Sequence, residues 1–327
     1  MKNSRPRFGA LLFGAVIGIT SLVATTGSGR AADAVRIGKA QGPVWAFLPA
    51  DVGIKHGLFA KYGIDASITV LAGDAKVQQA LAADSIDFGL GGGPGMAFAA
   101  KGSPVLAVAA FAGAPRDLCV YVAVDSPIRA VSDLKGKLVT VSTQGSLTDW
   151  MAMRLSMAEG WGRDGIRRLA FGATEARVAA LEAHQIDADL DGTETGFLLE
   201  EKHKAKIIAG LDKFVPDFIT HVVFARKELV AKKPDLVNRF LKGFFASIAF
   251  MKTHKAETDA IAVAAINETP AVASKIYDYE IPMLSTDGTF DPKALGVLKQ
   301  SFVDMHILDQ APADSQILTT QFVPVRP

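Results

Sequence analysis

The chain is short of the residues that metal and nucleophile chemistry depend on. Its 327 residues include one cysteine, Cys119, which excludes an internal disulfide and a thiolate metal cluster. That cysteine lies in the apolar run Leu118–Val124, where a thiol packs and does not react. The histidines at 56, 184, 203, 221, 254 and 306 are scattered without the H-x-x-x-H spacing of a zinc site, so no metal is expected. There is no G-x-S-x-G elbow of the kind a secreted serine hydrolase needs. Neither sign of charge dominates: 35 Lys and Arg face 34 Asp and Glu, for a formal charge of +1, so nothing favours nucleic acid or a membrane surface.

What the chain does have is apolar residues, 49% of the total, enough for a large core in one or two domains. Residues 1–34 read as a secretion signal. Lys2, Arg5 and Arg7 form a basic start, Phe8–Ala24 is apolar, and Ala32-Asp33-Ala34 has the A-x-A pattern of a cleavage site. No Arg-Arg pair is present, so the Sec route is expected, with cleavage near Ala34 into the periplasm. Loss of that segment takes the formal charge to −2.

Strand and helix patterns alternate beyond it. Ile86–Leu90 is a short apolar strand, followed by Gly91-Gly92-Gly93 and by Pro94 at the start of a helix. Glycines admit a ligand close to the backbone and a helix start offers free N–H donors, so the elbow is an anion-cradle candidate or a plain tight turn. A dinucleotide site is disfavoured, because no acidic residue ends a strand about twenty residues later. A second elbow at Thr143–Asp149 repeats the logic, with Gly145 before Ser146 and the capping-box pattern Ser146-x-x-Asp149. Asp74 reads as the N-cap of one helix and Thr174 of another. Ala80–Gly89 and Ala180–Leu190 share a plan of helix end, Ile-Asp and strand, which marks equivalent positions in two α/β units covering about 35–115 and 130–215. Ligands of such sheets bind beyond the carboxyl ends of strands, which singles out loops 41–45, 91–95, 112–116, 143–148 and 191–195.

An ordered set of motifs runs from about residue 35 to the C-terminus. It includes Gly57-Leu58-Phe59, Tyr62-Gly63-Ile64-Asp65, Ile86-Asp87-Phe88-Gly89, Asp133-Leu134-Lys135-Gly136-Lys137, Ile186-Asp187-Ala188 and Asp291-Pro292. In these the chain resembles the solute-binding proteins of ABC transporters of the nitrate/sulfonate/taurine and thiamine-precursor (NMT1/SsuA-like) superfamily. The resemblance implies an α/β periplasmic-binding-protein fold of type II, with two lobes, a ligand cleft between them and two hinge crossovers. On this reading lobe one is 35–123 plus 226–327 and lobe two is 124–225, with crossings near Tyr121–Asp125 and His221–Arg226.

The resemblance implies a monomeric, non-enzymatic binder that captures a small organic or anionic solute and hands it to an ABC permease, with no cofactor. Sulfonates, taurine, nitrate, pyrimidines and aromatic carboxylates are the ligand classes. A sensor that docks on a membrane receptor is the alternative. A self-consuming thiamine-pyrimidine enzyme would need a cysteine-rich motif that this chain lacks. The expected ligand-binding residues are Gln41, Gly42, Trp45, Gly92, Gly93, Arg116, Gly145, Ser146, Thr148, Asp191 and Glu194. Trp45 is weighed as core against cleft. Glu194 matches an acid found in many relatives, but Thr195 replaces the proline that follows it there. Two carboxylates at 191 and 194 call for a partner: a helix start to cap, a cation such as Arg116 or Lys39, or a donor group on the ligand.

Overall fold

The computed structural model describes residues 31–327, apart from Pro43, Ala72, Gly145 and Gly172. The secretion-signal expectation for residues 1–30, and the site expectation for Gly145, lie outside the described residues.

Two five-stranded sheets are built on one plan. In the first, β1 (Asp33–Lys39), β2 (Ile64–Val70), β3 (Phe88–Gly92) and β4 (Val105–Ala112) come from the first half of the chain. The second takes β5 (Leu118–Ala123), β6 (Leu138–Val141), β7 (Arg167–Ala170), β8 (Ala188–Gly192) and β9 (Ala205–Gly210). β10 (His221–Arg226) returns to the first, giving the orders β2-β1-β3-β10-β4 and β7-β6-β8-β5-β9. β10 runs antiparallel to β3 and β4, and β5 antiparallel to β8 and β9. Each sheet therefore has one reversed strand, inserted beside the two segments where the chain passes between sheets.

These segments are 113–117 and 211–220, which moves both expected crossings. β5 belongs to the second sheet and β10 to the first, so the boundaries expected after 123 and 225 fall one strand late at each passage. Both strands are apolar on both faces, and such a strand fits the middle of either sheet. Only long-range pairing decides which.

The expected equivalence of Ala80–Gly89 and Ala180–Leu190 extends to single hydrogen bonds. The helices α2 (Asp74–Ala82) and α5 (Thr174–Glu182) end in left-handed residues, Asp84 and His184. Asp87 then accepts from the backbone N–H of Arg36 at 2.8 Å, and Asp187 from that of Leu138 at 2.7 Å. Each Ile-Asp motif thus ties its own strand to the first strand of its unit.

The remaining helices cover the sheets. They are α1 (Leu48–Lys55), α3 (Ala97–Ala100), α4 (Leu147–Ala158), α6 (Thr193–Glu201), α7 (Lys227–Lys232), α8 (Pro234–Thr253), α9 (Lys255–Ile266), α10 (Pro270–Glu280), α11 (Pro292–Asp304) and α12 (Asp314–Ile317). α8 is the main buttress of the first sheet. Its buried stripe includes Leu236, Val237, Phe240, Phe244, Ile248 and Met251 at helical spacing, and Phe240 stacks on Phe88 of β3 at 3.8 Å. Burying each such phenylalanine stabilises the fold by roughly 1.5–3 kcal/mol. Among the described residues no helix is long and apolar enough to cross a membrane.

Candidate functional site between the two sheets

The carboxyl ends of β1, β3, β6 and β8 meet the two crossover segments in one junction. Its polar groups come from six places: the turn Trp45–Phe47, the elbow after β3, the start of α4, the start of α6, the crossovers themselves, and the end of α10.

The first elbow is filled by the protein. The N–H of Gly92 donates to Asp74 Oδ1 at 2.8 Å, and that of Gly93 to the carbonyl of Thr220 at 2.8 Å. A Cβ on Gly93 would collide with the carbonyl oxygen of Ile219. The glycines here let β3 lie against the second crossover, and the N–H donors expected for an anion are already engaged. Asp74 is not the N-cap of α2, a place taken by Gly73. Its buried carboxyl instead reaches Gly92, and burial pushes its pKa above the usual carboxylate range.

The second elbow keeps its polar character. Ser146 caps α4, its hydroxyl accepting from the N–H of Asp149 at 3.2 Å. With Ser142 and Thr148 it forms a triangle of hydroxyls 2.9–3.1 Å apart, and Thr148 also accepts from the N–H of Ser142 at 3.0 Å. Gln41 is exposed and Gly42 half-buried, both at the loop after β1.

Arg116 and Asp191, both expected in the cleft, are spent on the scaffold. Arg116 lies 3.6 Å from Asp212, donates to the carbonyl of Tyr279 at 3.2 Å and stands over its ring at 5.6 Å, while Tyr279 donates to Asp212 at 3.1 Å. The group joins both crossovers to α10. Asp191 pairs with Arg177 and accepts from Thr174 at 2.8 Å, so its cation is neither Arg116 nor Lys39. Lys39 pairs with Asp51. Arg177 also holds the buried Asp189 at 3.0 Å, with Tyr121 and Thr140 each donating to that carboxylate at 2.7 Å. Thr174 sits at the first helical position of α5, behind the N-cap Ala173.

Glu194 stays in the junction. α6 begins at Thr193, so Glu194 lies in its first turn. Its carboxylate accepts from the backbone N–H of Trp45 at 2.7 Å. Burial pushes its pKa up to about 8, against the hydrogen bonds from Trp45 and from its own N–H. Trp45 is fully buried, its indole edge-on to Tyr277 at 5.9 Å. Its ring is buried beside the junction, and its backbone N–H takes part in it.

Three further residues belong here that sequence reasoning passed over. Asp117, on the first crossover, lies 2.6 Å from His221 Nε2 at the start of β10, with both side chains buried. Glu280, the last residue of α10, accepts from the hydroxyl of Thr193, and its pKa is raised well above normal by burial and then by Glu194 and Asp117. The rings of Phe47 and Phe111 pack on His221 at 4.9 and 5.7 Å. Asp117 lies just past the loop 112–116 that topology singles out; His221 and Glu280 carry no local signal.

Two cavities flank the junction. One of about 560 Å³ lies between α6, α10 and β9, lined by Thr193, Phe197, Ile207 and Tyr279. Another of about 350 Å³ lies between α4 and the end of α11, lined by Trp150, Arg163, Arg168 and Asp304. Asp117, Glu194 and Glu280 line neither of these two. Among the described residues no group of His, Cys, Asp and Glu has the arrangement of a metal site.

This is the architecture of a two-lobed α/β binding protein of the periplasmic type. The chain belongs to the NMT1/THI5-like family, whose pattern it matches over residues 46–258. It is 28% identical over 201 residues to a Brucella abortus protein named provisionally as a binding protein, and spans about 60% of that relative's length, using 60% of its own. The periplasmic aliphatic sulphonate-binding protein SsuA of Escherichia coli superposes with a TM-score of 0.75 at 20% identity, over 88% of this chain and 92% of that one. SsuA of Xanthomonas axonopodis pv. citri, solved with MOPS, gives 0.72 at 18%, over 87% and 96%. The desulfurization enzyme DszB shares the fold, at 0.67 and 14% over 89% and 97%.

Proposed function

We propose that the chain is an exported, monomeric solute-binding protein that captures a small organic or anionic solute between its lobes and delivers it to an ABC permease in the periplasm. The observation that carries this reading is the junction itself. Two sheets of one plan are joined by the two crossovers, and polar groups from both close on each other at the junction. The bonds Glu194 to Trp45 and Thr193 to Glu280 span the lobes, as the contacts of a closed state would. A solute enters when the lobes part and is enclosed when they return. The hydroxyls of Ser142 after β6 and of Ser146 and Thr148 at the start of α4 are available to serve an acceptor-bearing solute.

The likeness to sulfonate-binding structures supports the solute-binding role and puts sulfonates, taurine, nitrate, pyrimidines and aromatic carboxylates on the panel to be tried. Catalysis by the lone cysteine is disfavoured on physical grounds. Burial, and then the charges of Asp191, Glu194 and Asp189, push the Cys119 thiol well above its usual pKa, and only a thiolate is nucleophilic. The test is a thermal-shift screen against that panel. A solute at a hundredfold excess over its Kd adds about 2.7 kcal/mol to stability, a rise in melting temperature that the screen resolves. A panel that leaves the melting temperature unmoved throughout would count against the proposal.

A further inference from the structure

Asp117, Glu194 and Glu280 are buried in the junction with 4%, 4% and 0% of their surface exposed. Carboxylates are driven into a protein interior only when something pairs with them. Here the pairing is incomplete. Asp117 presents Oδ2 to His221, and among the described residues Oδ1 has no partner. Glu280 presents Oε1 to Thr193, and Oε2 likewise has none among the described residues. Two nitrogens of the same junction are also unmet, Trp45 Nε1 and His221 Nδ1, on residues 0% and 6% exposed. The basic side chains nearest in the framework are committed elsewhere: Arg177 to Asp189 and Asp191, Lys39 to Asp51, and Arg116 to Asp212.

The unmet atoms therefore describe what is missing. Oxygens at 117 and 280 want a donor, and the Trp45 indole wants an acceptor. His221 Nδ1 serves either way: with Nε2–H donating to Asp117, it accepts as the neutral ring and donates as imidazolium. Aromatic walls from Phe47, Phe111 and Tyr277 stand around these groups. Aromatic faces favour a cation that has left water, and a cation bound here would draw the buried Glu194 and Glu280 toward their charged form, whereas a bare anion would oppose it.

We infer that the solute carries an N–H-bearing nitrogen group (ammonium, amidinium or amino) beside an acceptor atom, held by Asp117 and Glu280 on one side and Trp45 Nε1 on the other. This rests on the reading of the chain as a solute-binding protein, and it narrows the ligand classes to those with nitrogen donors. Burial, and then Glu194 and Asp117, raise the Glu280 pKa well above the ordinary range, as for a buried acid lacking its cation.

The experiment compares matched pairs that differ in the nitrogen group: taurine with isethionate, β-alanine with propionate, 4-aminopyrimidine with pyrimidine, and benzamidine with benzoate. Melting shifts rank them, and calorimetry gives Kd. The N–H-bearing member of at least one pair should bind roughly tenfold or more tighter, the worth of one charge-assisted hydrogen bond. Glu280→Gln and Asp117→Asn should erase that preference while circular dichroism shows the fold retained. If a variant does not fold, the wild-type pairs alone decide. If in every pair the member lacking the N–H group binds as well as its partner, or if a preference survives both substitutions, this inference is overturned and solute binding stands. If no member of any pair binds and the wider panel is also silent, the solute-binding reading falls and takes the inference with it.

Discussion

The carboxylate of Glu194, in the first turn of α6, accepts a 2.7 Å hydrogen bond from the backbone N–H of Trp45 in the other lobe. The bond makes a helix-start donor unavailable to anything else while the lobes are together. It also leaves a buried acid whose protonation is linked to folding.

The sign of that linkage is fixed by the direction of the shift. Glu194 rises from 4.5 to about 8 in the folded state, so between those values the folded protein holds a proton that the unfolded chain has released. Its contribution to stability is present at the acid end of that window and is lost as pH rises through the folded value. Glu280 shifts the same way, while Asp87 is lowered and protects only above the ordinary carboxylate range. Asp117 and Asp191 are the acids whose charge adds to the rise at Glu194, and Glu194 and Asp117 add to the rise at Glu280. Melting temperature should fall from about pH 5 to about pH 9, and Glu194→Gln should flatten the slope. A profile that rises through this range would contradict the assignment.

Arg116 is expected to be a hinge residue. Arg116→Ala removes its carbonyl bond to Tyr279, its place over that ring and its pairing with Asp212. The loss should be about 1–2 kcal/mol in urea unfolding, since the side chain is only partly shielded from solvent. Solute affinity should stay close to wild type. A variant of normal stability that no longer binds would return Arg116 to the cleft.

The two elbows should separate in mutagenesis. Gly93→Val drives a side chain into the Ile219 carbonyl and should cost more than about 3 kcal/mol or prevent folding altogether. Ser146→Ala loses a cap and one corner of the hydroxyl triangle, for about 0.5–2 kcal/mol of stability. Its effect on solute affinity should exceed that cost if the triangle faces the ligand. Denaturant titration beside calorimetry distinguishes the two.

Processing should fall earlier than the A-x-A motif suggests. Asp33 already pairs with Ile64 in β1, donates its N–H to Gly63 at 2.9 Å and accepts from Arg239 at 2.5 Å. A cut after Ala34 would discard that end of the strand. A cut after Ala31 keeps it, and places small residues, Gly29 and Ala31, where signal peptidase requires them. Intact mass of the exported protein should begin at Ala32; a mass beginning at Val35 would refute this.

Much of the fold is legible in the sequence because its signals are local. Glycine and proline punctuation, apolar period and the Ser146 cap place most strands and helices, and the repeat of Ile-Asp at 86–87 and 186–187 reveals the doubled plan. The site is less legible because partners are chosen in three dimensions. Asp191 finds Arg177 on the neighbouring helix α5, Arg116 finds Asp212 on the other crossover, and the N–H groups of Gly92 and Gly93 find acceptors at 74 and 220. Glu280 closes a helix far along the chain from every motif, and nothing local distinguishes it from the other acids on helices.

Solute capture by closure is tested most directly by small-angle X-ray scattering of the protein alone and saturated with the solute that emerges from the thermal screen. The account predicts a smaller radius of gyration in the saturated sample, as the lobes close, and a weaker contraction in Glu194→Ala. A saturated protein whose scattering curve is unchanged from that of the free form would contradict it.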